Sequence, residues 1–485
     1  MKKNDVILVY PDKRWFGATE VMYPPLALMP LAGELEKEGY KARIVDLKTF
    51  DYKKMNLSKT ILVGISSMTS RQISYGLEAA NFIKEKEPEI PIVWGGIHAS
   101  LLPEQTVEDK RIDVVAIGEG EKTIVELTKA FEKGKKLNKI KGIAFKEKGK
   151  TIITEKRPFL NLDEINDLCY HLIENFKEYT PQKKFFYPSS RGCPHRCTFC
   201  YNTKFCNNTW RAKSTKKILE DVKWIVDEFK PKTIDFNEDN FFVNKQRVYD
   251  ISKGFIEEEY DFEWAGDCRV DYFSRFDREF LETIKKAGCN TVFFGCESGS
   301  TRTLKRVKKD ITVEQTIESI KKCKEYDIKP ILSFVVGFPF ETKEDILKTM
   351  RLIDKLDLLN EDILATIIST FTPYPGTPLF EEAIEAGYIP PKSLEEWGQS
   401  FLFGNVQNTP WLKGELRELV DFITTSSRLR KIRLNLKETP IKDFPKVLFR
   451  HFFVLSARAR WKHRFTKLPI EWKLWELIQR QRGYA

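Results

Sequence analysis

Short apolar runs alternate with amphipathic helical patterns over residues 1 to about 155, and this alternation constrains the fold more than any other feature. Strands that are apolar throughout and are joined by helices form parallel sheets with both faces covered. We therefore predict an α/β domain built on a doubly wound, Rossmann-like sheet. The predicted strands are 6–10, 42–47, 61–66, 92–95 and 114–117, and the predicted helices are 26–37, 73–85 and 121–131.

Small and glycine-rich segments follow the third, fourth and fifth predicted strands. Doubly wound sheets bind ligands beyond the carboxyl ends of their strands, and glycine lets the backbone approach a bulky planar ligand. The class of ligand stays open, because such a sheet also fits a flavodoxin-like module or a sugar-binding module. The candidate ligand contacts at this edge are Ser66, Thr69, Gly95, Gly96, His98, Gly118 and Gly120.

The alternation stops after the first domain and then resumes. Residues 140–154 read as a hairpin around Lys148-Gly149-Lys150, and the polar segment 156–184 reads as a linker. Six further strands follow at roughly thirty-residue spacing, so the next domain is also α/β. The predicted strands are 185–188, 233–237, 262–266, 291–294, 331–336 and 363–371.

Composition sets broad limits on the chain. With 485 residues, 41% hydrophobic and 31% charged, we expect a globular protein of two domains plus an appendage. No apolar run is long enough to span a bilayer and the start lacks a signal-peptide core, so we expect a cytoplasmic protein. Nine cysteines, an odd number, indicate reduced thiols and a metal rather than a disulfide framework.

Three of these cysteines, Cys193, Cys197 and Cys200, have C-x3-C-x2-C spacing in one short loop. Three thiolates can hold three irons of a [4Fe–4S] cube and leave the fourth iron open to a substrate or cofactor. Unrelated cysteines, or three ligands of a zinc site with a distant fourth ligand, are the alternatives. An exposed cluster implies anaerobic or low-oxygen working conditions.

At these residues the chain resembles the radical S-adenosylmethionine (SAM) enzymes. The resemblance implies a partial (β/α)6 barrel in which the open iron binds the amino and carboxylate groups of SAM. Electron transfer from the cluster then gives a 5′-deoxyadenosyl radical that takes hydrogen from an unactivated carbon. Phe199 has the family's aromatic position, whose backbone meets adenine, and the strand end 334–339 resembles a second adenine contact.

The same resemblance gives roles to other strand ends, where barrel chemistry is located. It implies that Glu238 or Asp239 accepts hydrogen bonds from the SAM ammonium. The alternative is that these carboxylates are a solvated strand end or a helix cap. Arg269 suits the SAM carboxylate, and its alternative is a surface pairing with Asp271 or Asp267. Glu297, assisted by Ser298, corresponds to the residue that bonds the ribose hydroxyls.

Two side chains near these strand ends have open interpretations. We expect Cys296 to be a core thiol rather than a ligand. Tyr374 lies between two prolines that stiffen its loop. Its ring either touches corrin or substrate, or plugs the base of the barrel.

The two domains together resemble cobalamin-binding radical SAM enzymes over about residues 1–380. The 23–26 segment (Tyr-Pro-Pro-Leu) and the 118–121 segment (Gly-Glu-Gly-Glu) are frequent in that family. Cobalamin domains of the methionine synthase type carry Asp-x-His-x-x-Gly, which this chain lacks. We therefore expect cobalamin with its base detached and no histidine below the cobalt, and His98 as a loop imidazole that bonds backbone or the corrin rim.

The region 386–485 has helical patterns over 416–436 and from 444 onward. Residues 441–485 contain eleven Lys or Arg and three Asp or Glu. A helical cap on the barrel is the favoured interpretation, followed by contact with an anionic membrane surface and then a nucleic acid strand. The interleaved apolar residues are Phe449, Phe452, Phe453, Leu455, Trp461, Phe465, Trp472, Trp475 and Leu477.

The resemblance implies a cobalamin-dependent methyltransferase that methylates an unactivated carbon of a small molecule. Several relatives act on lipids or tetrapyrroles, so a lipid-like substrate is one option. The alternatives are a radical SAM cyclase, oxidase or carbon–carbon coupling enzyme, and a non-catalytic cobalamin or SAM sensor. A flavodoxin or ferredoxin would supply electrons, and the protein would lie in the cytoplasm or at the inner face of the membrane. The predicted domains are 1–155 (cobalamin-binding), 156–184 (linker), 185–385 (radical SAM core) and 386–485 (helical, basic).

Overall fold

The first part of the chain forms a seven-stranded sheet. We describe it from a computed structural model, which covers residues 5–13, 22–180, 183–402, 405–406, 408–430 and 444–466. The strands are β1 (Asp5–Tyr10), β2 (Lys41–Asp46), β3 (Thr60–Ser66), β4 (Ile92–Gly95), β5 (Val114–Ala116), β6 (Ile143–Glu147) and β7 (Lys150–Ile153). Their order is β2-β1-β3-β4-β5-β6-β7.

The first five strands pair in parallel, as predicted. The predicted hairpin is confirmed as β6 and β7. It pairs antiparallel with the free edge of β5, so the sheet is mixed rather than purely parallel.

Helices cover both faces of this sheet. Successive residues of β1 enter two different cores, Val6 and Leu8 on one face and Ile7 and Val9 on the other. Such double burial explains why the strand is apolar throughout. Residues 97–101 were expected in a loop but form a short helix. The helices are α1 (Met29–Lys37), α2 (Gln72–Lys86), α3 (Ile97–Leu101), α4 (Pro103–Val107) and α5 (Glu121–Lys133).

The segment 156–184, predicted as a polar linker, packs closely between the two domains. Its Tyr170 is 2% exposed and donates a hydrogen bond to the carbonyl of Phe186 at 2.9 Å. Its Tyr179 donates to Asp46 Oδ2 at 2.6 Å. The apolar residues are spaced by short 3₁₀ turns, so neither helical nor strand periodicity reveals them. These turns are Leu162–Glu164, Tyr170–Leu172 and Phe176–Tyr179.

A second sheet forms an open half-barrel and confirms all six predicted strands. Its strands are all parallel, in the order β8-β11-β12-β13-β14-β15. The strands of this region are β8 (Lys184–Phe186), β9 (Ser190–Gly192), β10 (Trp210–Ala212), β11 (Thr233–Phe236), β12 (Glu263–Cys268), β13 (Cys289–Glu297), β14 (Lys329–Val336) and β15 (Ala365–Thr370). The antiparallel pair of β9 and β10 brackets the cysteine loop.

Helices follow the barrel strands and pack outside them. Two begin with reciprocal capping boxes, in which Thr312 pairs with Gln315 and Thr342 with Asp345. The helices are α6 (Asn202–Phe205), α7 (Thr215–Phe229), α8 (Lys245–Glu257), α9 (Val270–Phe273), α10 (Arg278–Lys286), α11 (Thr301–Arg306), α12 (Val313–Glu325), α13 (Lys343–Leu359) and α14 (Pro378–Glu385).

The described part of the C-terminal region packs on the barrel as a helical cap. Trp461 is 4% exposed and donates from Nε1 to Asp354 of α13 at 2.6 Å, and the Arg430 guanidinium covers the Trp461 ring. The elements are α15 (Leu394–Gln399), β16 (Phe401–Leu402), β17 (Asn405–Val406), α16 (Gly414–Arg430) and α17 (Phe444–His463).

The structure describes only some of the interleaved apolar side chains of the C-terminal region. Leu455 and Phe465 are exposed. Trp472, Trp475 and Leu477 lie outside the described residues, as do the side chains of Phe449 and Phe452. Within the described ranges, no helix combines the length and apolar character needed to cross a bilayer.

Candidate cluster and cofactor site

The three cysteines lie in the loop between β9 and α6. Cys197 is buried, and Cys193 and Cys200 are partly exposed. Burial raises the pKa of Cys193, against a lowering hydrogen bond from the His195 backbone, and burial raises the pKa of Cys200 to about 12. No three His, Cys, Asp or Glu side chains of the described residues are placed to share one metal ion. In a [4Fe–4S] cube each thiolate binds its own iron, so three cysteines of one loop need not converge on a single ion.

The cysteine loop is tied to the barrel on several sides. The backbone N–H of Thr198 donates to the Val307 carbonyl at 2.9 Å, and the Thr198 carbonyl accepts from Leu379 N at 3.2 Å. His195 Nε2 and the Tyr272 hydroxyl share a hydrogen bond of 2.6 Å. The protein therefore fixes the loop through contacts that do not involve the thiols.

Glu238 and Asp239, at the end of β11, both bond the strand that leads into the loop. Glu238 Oε2 accepts from the N–H groups of Ser189 and Ser190, each at 2.6 Å, and burial raises its pKa. Asp239 Oδ2 accepts from Gly192 N at 3.0 Å, while the residue as a whole is exposed. Glu238 also accepts from the Ser189 hydroxyl at 3.1 Å, so its carboxylate is engaged by the strand, whereas exposed Asp239 keeps acceptor capacity at the barrel mouth.

Arg269, at the end of β12, is 5% exposed and holds the cluster side of the barrel. It donates from Nε to Asp271 Oδ1 at 2.8 Å and from Nη2 to the Lys309 carbonyl at 2.6 Å. Its Nη1 lies 4.0 Å from Cys197 Sγ. The pairing with Asp271 that we considered therefore exists, but it is buried rather than at the surface, and one edge of the guanidinium faces the cysteine loop.

Glu297 ends β13 in a left-handed conformation with φ of +58°. Its Oε1 lies 2.6 Å from Lys309 Nζ, and both side chains are less than 10% exposed. A Cβ on Gly295 would lie 2.6 Å from Glu297 Oε1, so the glycine makes room for the pair. Ser298 is fully buried and its Oγ lies 3.1 Å from Thr349 Oγ1. Sequence reasoning missed Lys309, whose only signal was its place in the basic run after α11.

Two aromatic contacts bring together segments that we assigned to the barrel mouth. The Phe199 and Phe338 rings are 5.9 Å apart, which joins the two predicted adenine contacts. The Tyr374 ring lies 5.6 Å from that of Tyr201, next to Cys200. The interpretation of Tyr374 as a plug at the barrel base is therefore wrong, because its loop crosses the mouth. Cys296 is fully buried, as expected for a core thiol.

The carboxyl edge of the first sheet is built from tight turns. Gly96 has φ of +93°, and a Cβ there would lie 2.5 Å from the Ser67 carbonyl and 2.8 Å from Ser66 Oγ. Ser100 Oγ donates to the Gly96 carbonyl at 2.8 Å and accepts from Gly118 N at 2.9 Å, which joins the segments after β4 and β5. Gly118 has φ of +78° and open space beside it. A flat ligand could approach the backbone at this point.

The remaining candidates at this edge are packed. Gly95 faces Ala116, and Gly120 caps α5 beside Leu31. His98 is fully buried, its Nδ1 lies 3.1 Å from Thr69 Oγ1, and the Trp397 ring packs against it. Burial lowers the pKa of His98 to about 3, so the imidazole is neutral.

Sequence reasoning also missed four charged residues between the domains. Glu119, between the two glycines after β5, and Glu121, directly after the second, accept from Arg191 of β9 at 3.1 and 2.6 Å. Glu119 also accepts from Arg211 of β10 at 2.5 Å. The Gly-Glu-Gly-Glu motif was interpreted through its glycines alone, although two carboxylates in a buried loop require cationic partners.

Comparison with known proteins agrees with this two-domain geometry. A family model described as the B12 binding domain matches residues 17–128, and one described as the radical SAM superfamily matches residues 187–353. An uncharacterized methyltransferase of Pyrococcus horikoshii is 35% identical over 398 residues, which cover 79% of this chain and 84% of that protein. The chain belongs to the cobalamin-dependent radical SAM enzyme family.

More distant members of the family differ in their named activities. An anaerobic magnesium-protoporphyrin IX monomethyl ester cyclase of Cereibacter sphaeroides is 28% identical over 78% of this chain and 63% of its own length. The structure of a radical SAM methyltransferase of Kitasatospora setae shares the fold with a TM-score of 0.68 and 19% identity, over 87% of this chain and 89% of that one.

A [4Fe–4S] cluster, SAM and cobalamin are the cofactors of this radical SAM enzyme family, and the residues present here fit them. The three thiols suit the cluster, and the mouth beside them offers carboxylate, guanidinium and aromatic groups to SAM. The open backbone at Gly118 suits a corrin edge.

Proposed function

We propose that the protein is a cobalamin-dependent radical SAM methyltransferase that methylates an unactivated carbon of a small molecule. The ion pairs of Glu119 and Glu121 with Arg191 carry this proposal. They hold the ligand edge of the first domain against the strand that enters the cysteine loop. A methyl donor at that edge and a radical generator at the loop would then serve one substrate space. The named activity of the Pyrococcus relative also supports this function.

When bound, the cluster would supply the electron for reductive cleavage of SAM, and cobalamin would supply the methyl group. Cys193, Cys197 and Cys200 would hold the irons. Asp239, rather than the backbone-bonded Glu238, would accept from the SAM ammonium.

Other residues of the mouth would orient SAM. Arg269 would direct Nη1 to the SAM carboxylate, and Glu297 would bond the ribose hydroxyls. Buried Ser298 would support the turn that carries Glu297. Phe199 and Phe338 would border the adenine.

In the first domain, cobalamin would lie along the edge formed by small residues. The open backbone of Gly118 would border it, with the partly exposed Ser66, Gly95, Gly96 and Gly120 beside it, while buried Thr69 would support the edge through His98. His98 would not ligate cobalt, because its buried imidazole is held by Thr69 and covered by Trp397.

The assignments beyond the site follow from the same proposal. Cobalamin would bind to domain 1–155, and segment 156–184 would connect it to the barrel. The radical would form in domain 185–385, and region 386–485 would cap the barrel. The substrate would be a lipid-like molecule, and a flavodoxin or ferredoxin would reduce the cluster. The basic C-terminal region would bring the enzyme to an anionic membrane surface.

An isotope experiment tests the methyl transfer. Protein reconstituted anaerobically with iron, sulfide and hydroxocobalamin is incubated with SAM deuterated in its methyl group, a reductant and a small-molecule extract. We expect S-adenosylhomocysteine, 5′-deoxyadenosine and a product that carries the deuterated methyl group. A Cys197→Ala variant is the control and should give no 5′-deoxyadenosine.

A radical cyclase is the second candidate, because the Cereibacter relative carries that name. A cyclase forms 5′-deoxyadenosine without moving the SAM methyl group to product. Formation of 5′-deoxyadenosine without S-adenosylhomocysteine or a labelled product would therefore refute the methyltransferase and favour the cyclase. Absence of 5′-deoxyadenosine from cluster-loaded protein would favour a non-catalytic sensor.

A further inference from the structure

Two buried carboxylates of the first domain meet two guanidinium groups of the barrel. The Glu119 and Glu121 side chains are 7% and 3% exposed. Glu119 bonds both Arg191 and Arg211 and also accepts from Leu160 N at 2.8 Å. Glu121 bonds the second arm of Arg191 at 2.6 Å. One arginine is therefore shared between two carboxylates of a single loop.

The charges at this junction depend on each other. Burial alone would raise the pKa of Glu119, but Arg191 and Arg211 hold it below its usual range. Removal of one partner from such a group leaves an uncompensated buried charge, which is far more costly than loss of a surface pair.

The position of this junction connects the two candidate sites. On one side, Glu121 begins α5 directly after Gly118 and Gly120, at the ligand edge of the first sheet. On the other side, Arg191 stands two residues before Cys193, and the intervening Gly192 donates to Asp239. A shift of the loop after β5 must therefore either break the ion pairs or displace the strand that enters the cysteine loop.

We infer that Glu119, Glu121, Arg191 and Arg211 form an interdomain latch that couples ligand binding at the first domain to the order of the cysteine loop. The four residues are positioning residues, since none of them needs to touch a reacting atom. The inference rests on the proposed cobalamin site. Coupling is reciprocal, so cluster loading must strengthen cobalamin binding by the factor by which cobalamin strengthens retention of the cluster.

A binding cycle tests the latch without any turnover. The dissociation constant of hydroxocobalamin is measured on the full chain with its cluster and after removal of the cluster by a chelator. We expect tighter binding by the cluster-loaded protein. In the isosteric variant Glu121→Gln the ratio of the two constants should fall by about 2- to 30-fold, the range of coupling changes at linked positions.

Glu126→Gln is the matched control. Glu126 lies on the same helix and pairs with Arg157 at 2.6 Å, but this pair does not involve the strands β9 and β10. The control should keep the wild-type ratio. Arg191→Lys is a second, milder variant, because lysine keeps the charge but cannot form two paired contacts; its ratio should lie between those of wild type and Glu121→Gln.

Hydrogen exchange of peptides spanning residues 187–200 locates the effect. Hydroxocobalamin should slow exchange there in wild type and in Glu126→Gln, and less in Glu121→Gln. An unchanged ratio in Glu121→Gln, or a wild-type ratio of one, would overturn the latch while leaving the cofactor assignment intact. Failure of the wild type to bind hydroxocobalamin at all would overturn both.

Discussion

Replacement of Lys309 by methionine probes the buried pair at the end of β13. Lys309 and Glu297 are 9% and 8% exposed, and their charged atoms are 2.6 Å apart. The substitution keeps most of the side-chain volume and the backbone carbonyl that binds Arg269. Its main effect is to leave the Glu297 carboxylate buried without its cation.

The expected cost is large because the pair is buried. Removal of one member of a buried ion pair destabilises a protein by about 3–5 kcal/mol. The double variant Glu297→Gln/Lys309→Met no longer buries a charge and should recover a large part of this loss. The two single changes should therefore be strongly non-additive, as expected for residues in direct contact.

The assay must report on the barrel rather than on the whole multidomain chain, for which a single unfolding free energy is poorly defined. Hydrogen exchange of the β13 amides gives the local free energy of opening. Lys305→Met, an exposed lysine on α11, is the matched control and should leave this free energy unchanged. A loss in Lys309→Met no greater than in Lys305→Met, or additive effects in the double variant, would refute the reasoning.

Three further substitutions test other parts of the site. Glu341 Oε2 accepts from Gly337 N at 2.6 Å, in the turn that carries Phe338. Burial raises the pKa of Glu341 to about 8, so the folded chain binds this proton more tightly than the unfolded chain. Stability should then fall by up to about 1.4 kcal/mol for each pH unit between about 5 and 8, and Glu341→Gln should remove this slope in hydrogen-exchange measurements. The His98→Gln variant should still bind hydroxocobalamin. In the wild type, the electron paramagnetic resonance spectrum of cob(II)alamin should lack nitrogen splitting. Splitting that is present in the wild type and disappears in the variant would contradict our interpretation of His98. Cys197→Ala should lose cluster iron with an unchanged circular dichroism spectrum, and full iron retention would refute the cluster assignment.

Local pattern was enough to predict the strands of both sheets. Five of the six residues of β1 are buried, β14 alternates buried with partly buried residues, and helices with a polar face separate the strands, so periodicity carries the information. The cysteine spacing likewise located the loop between β9 and α6. The addition of β6 and β7 to the first sheet was not predictable, because a hairpin pattern does not specify which edge it joins.

The pairings between distant charges could not be read from the sequence. Lys309 belongs to a basic run that resembles a solvated helix end, and only the fold brings it to Glu297. In the same way, Glu119 and Arg191 are 72 residues apart. The segment 156–184 was misjudged for another reason: its buried Tyr170 and Tyr179 lie on irregular turns, where no periodicity marks the inner face.

The most direct test of the whole account is the metal content of protein purified without oxygen and supplied with hydroxocobalamin. We predict about four irons for each chain, together with nearly one cobalt and the absorbance bands of both groups. Four irons without cobalt would contradict it, because the first domain would then bind a different ligand and methyl transfer through cobalamin would be withdrawn.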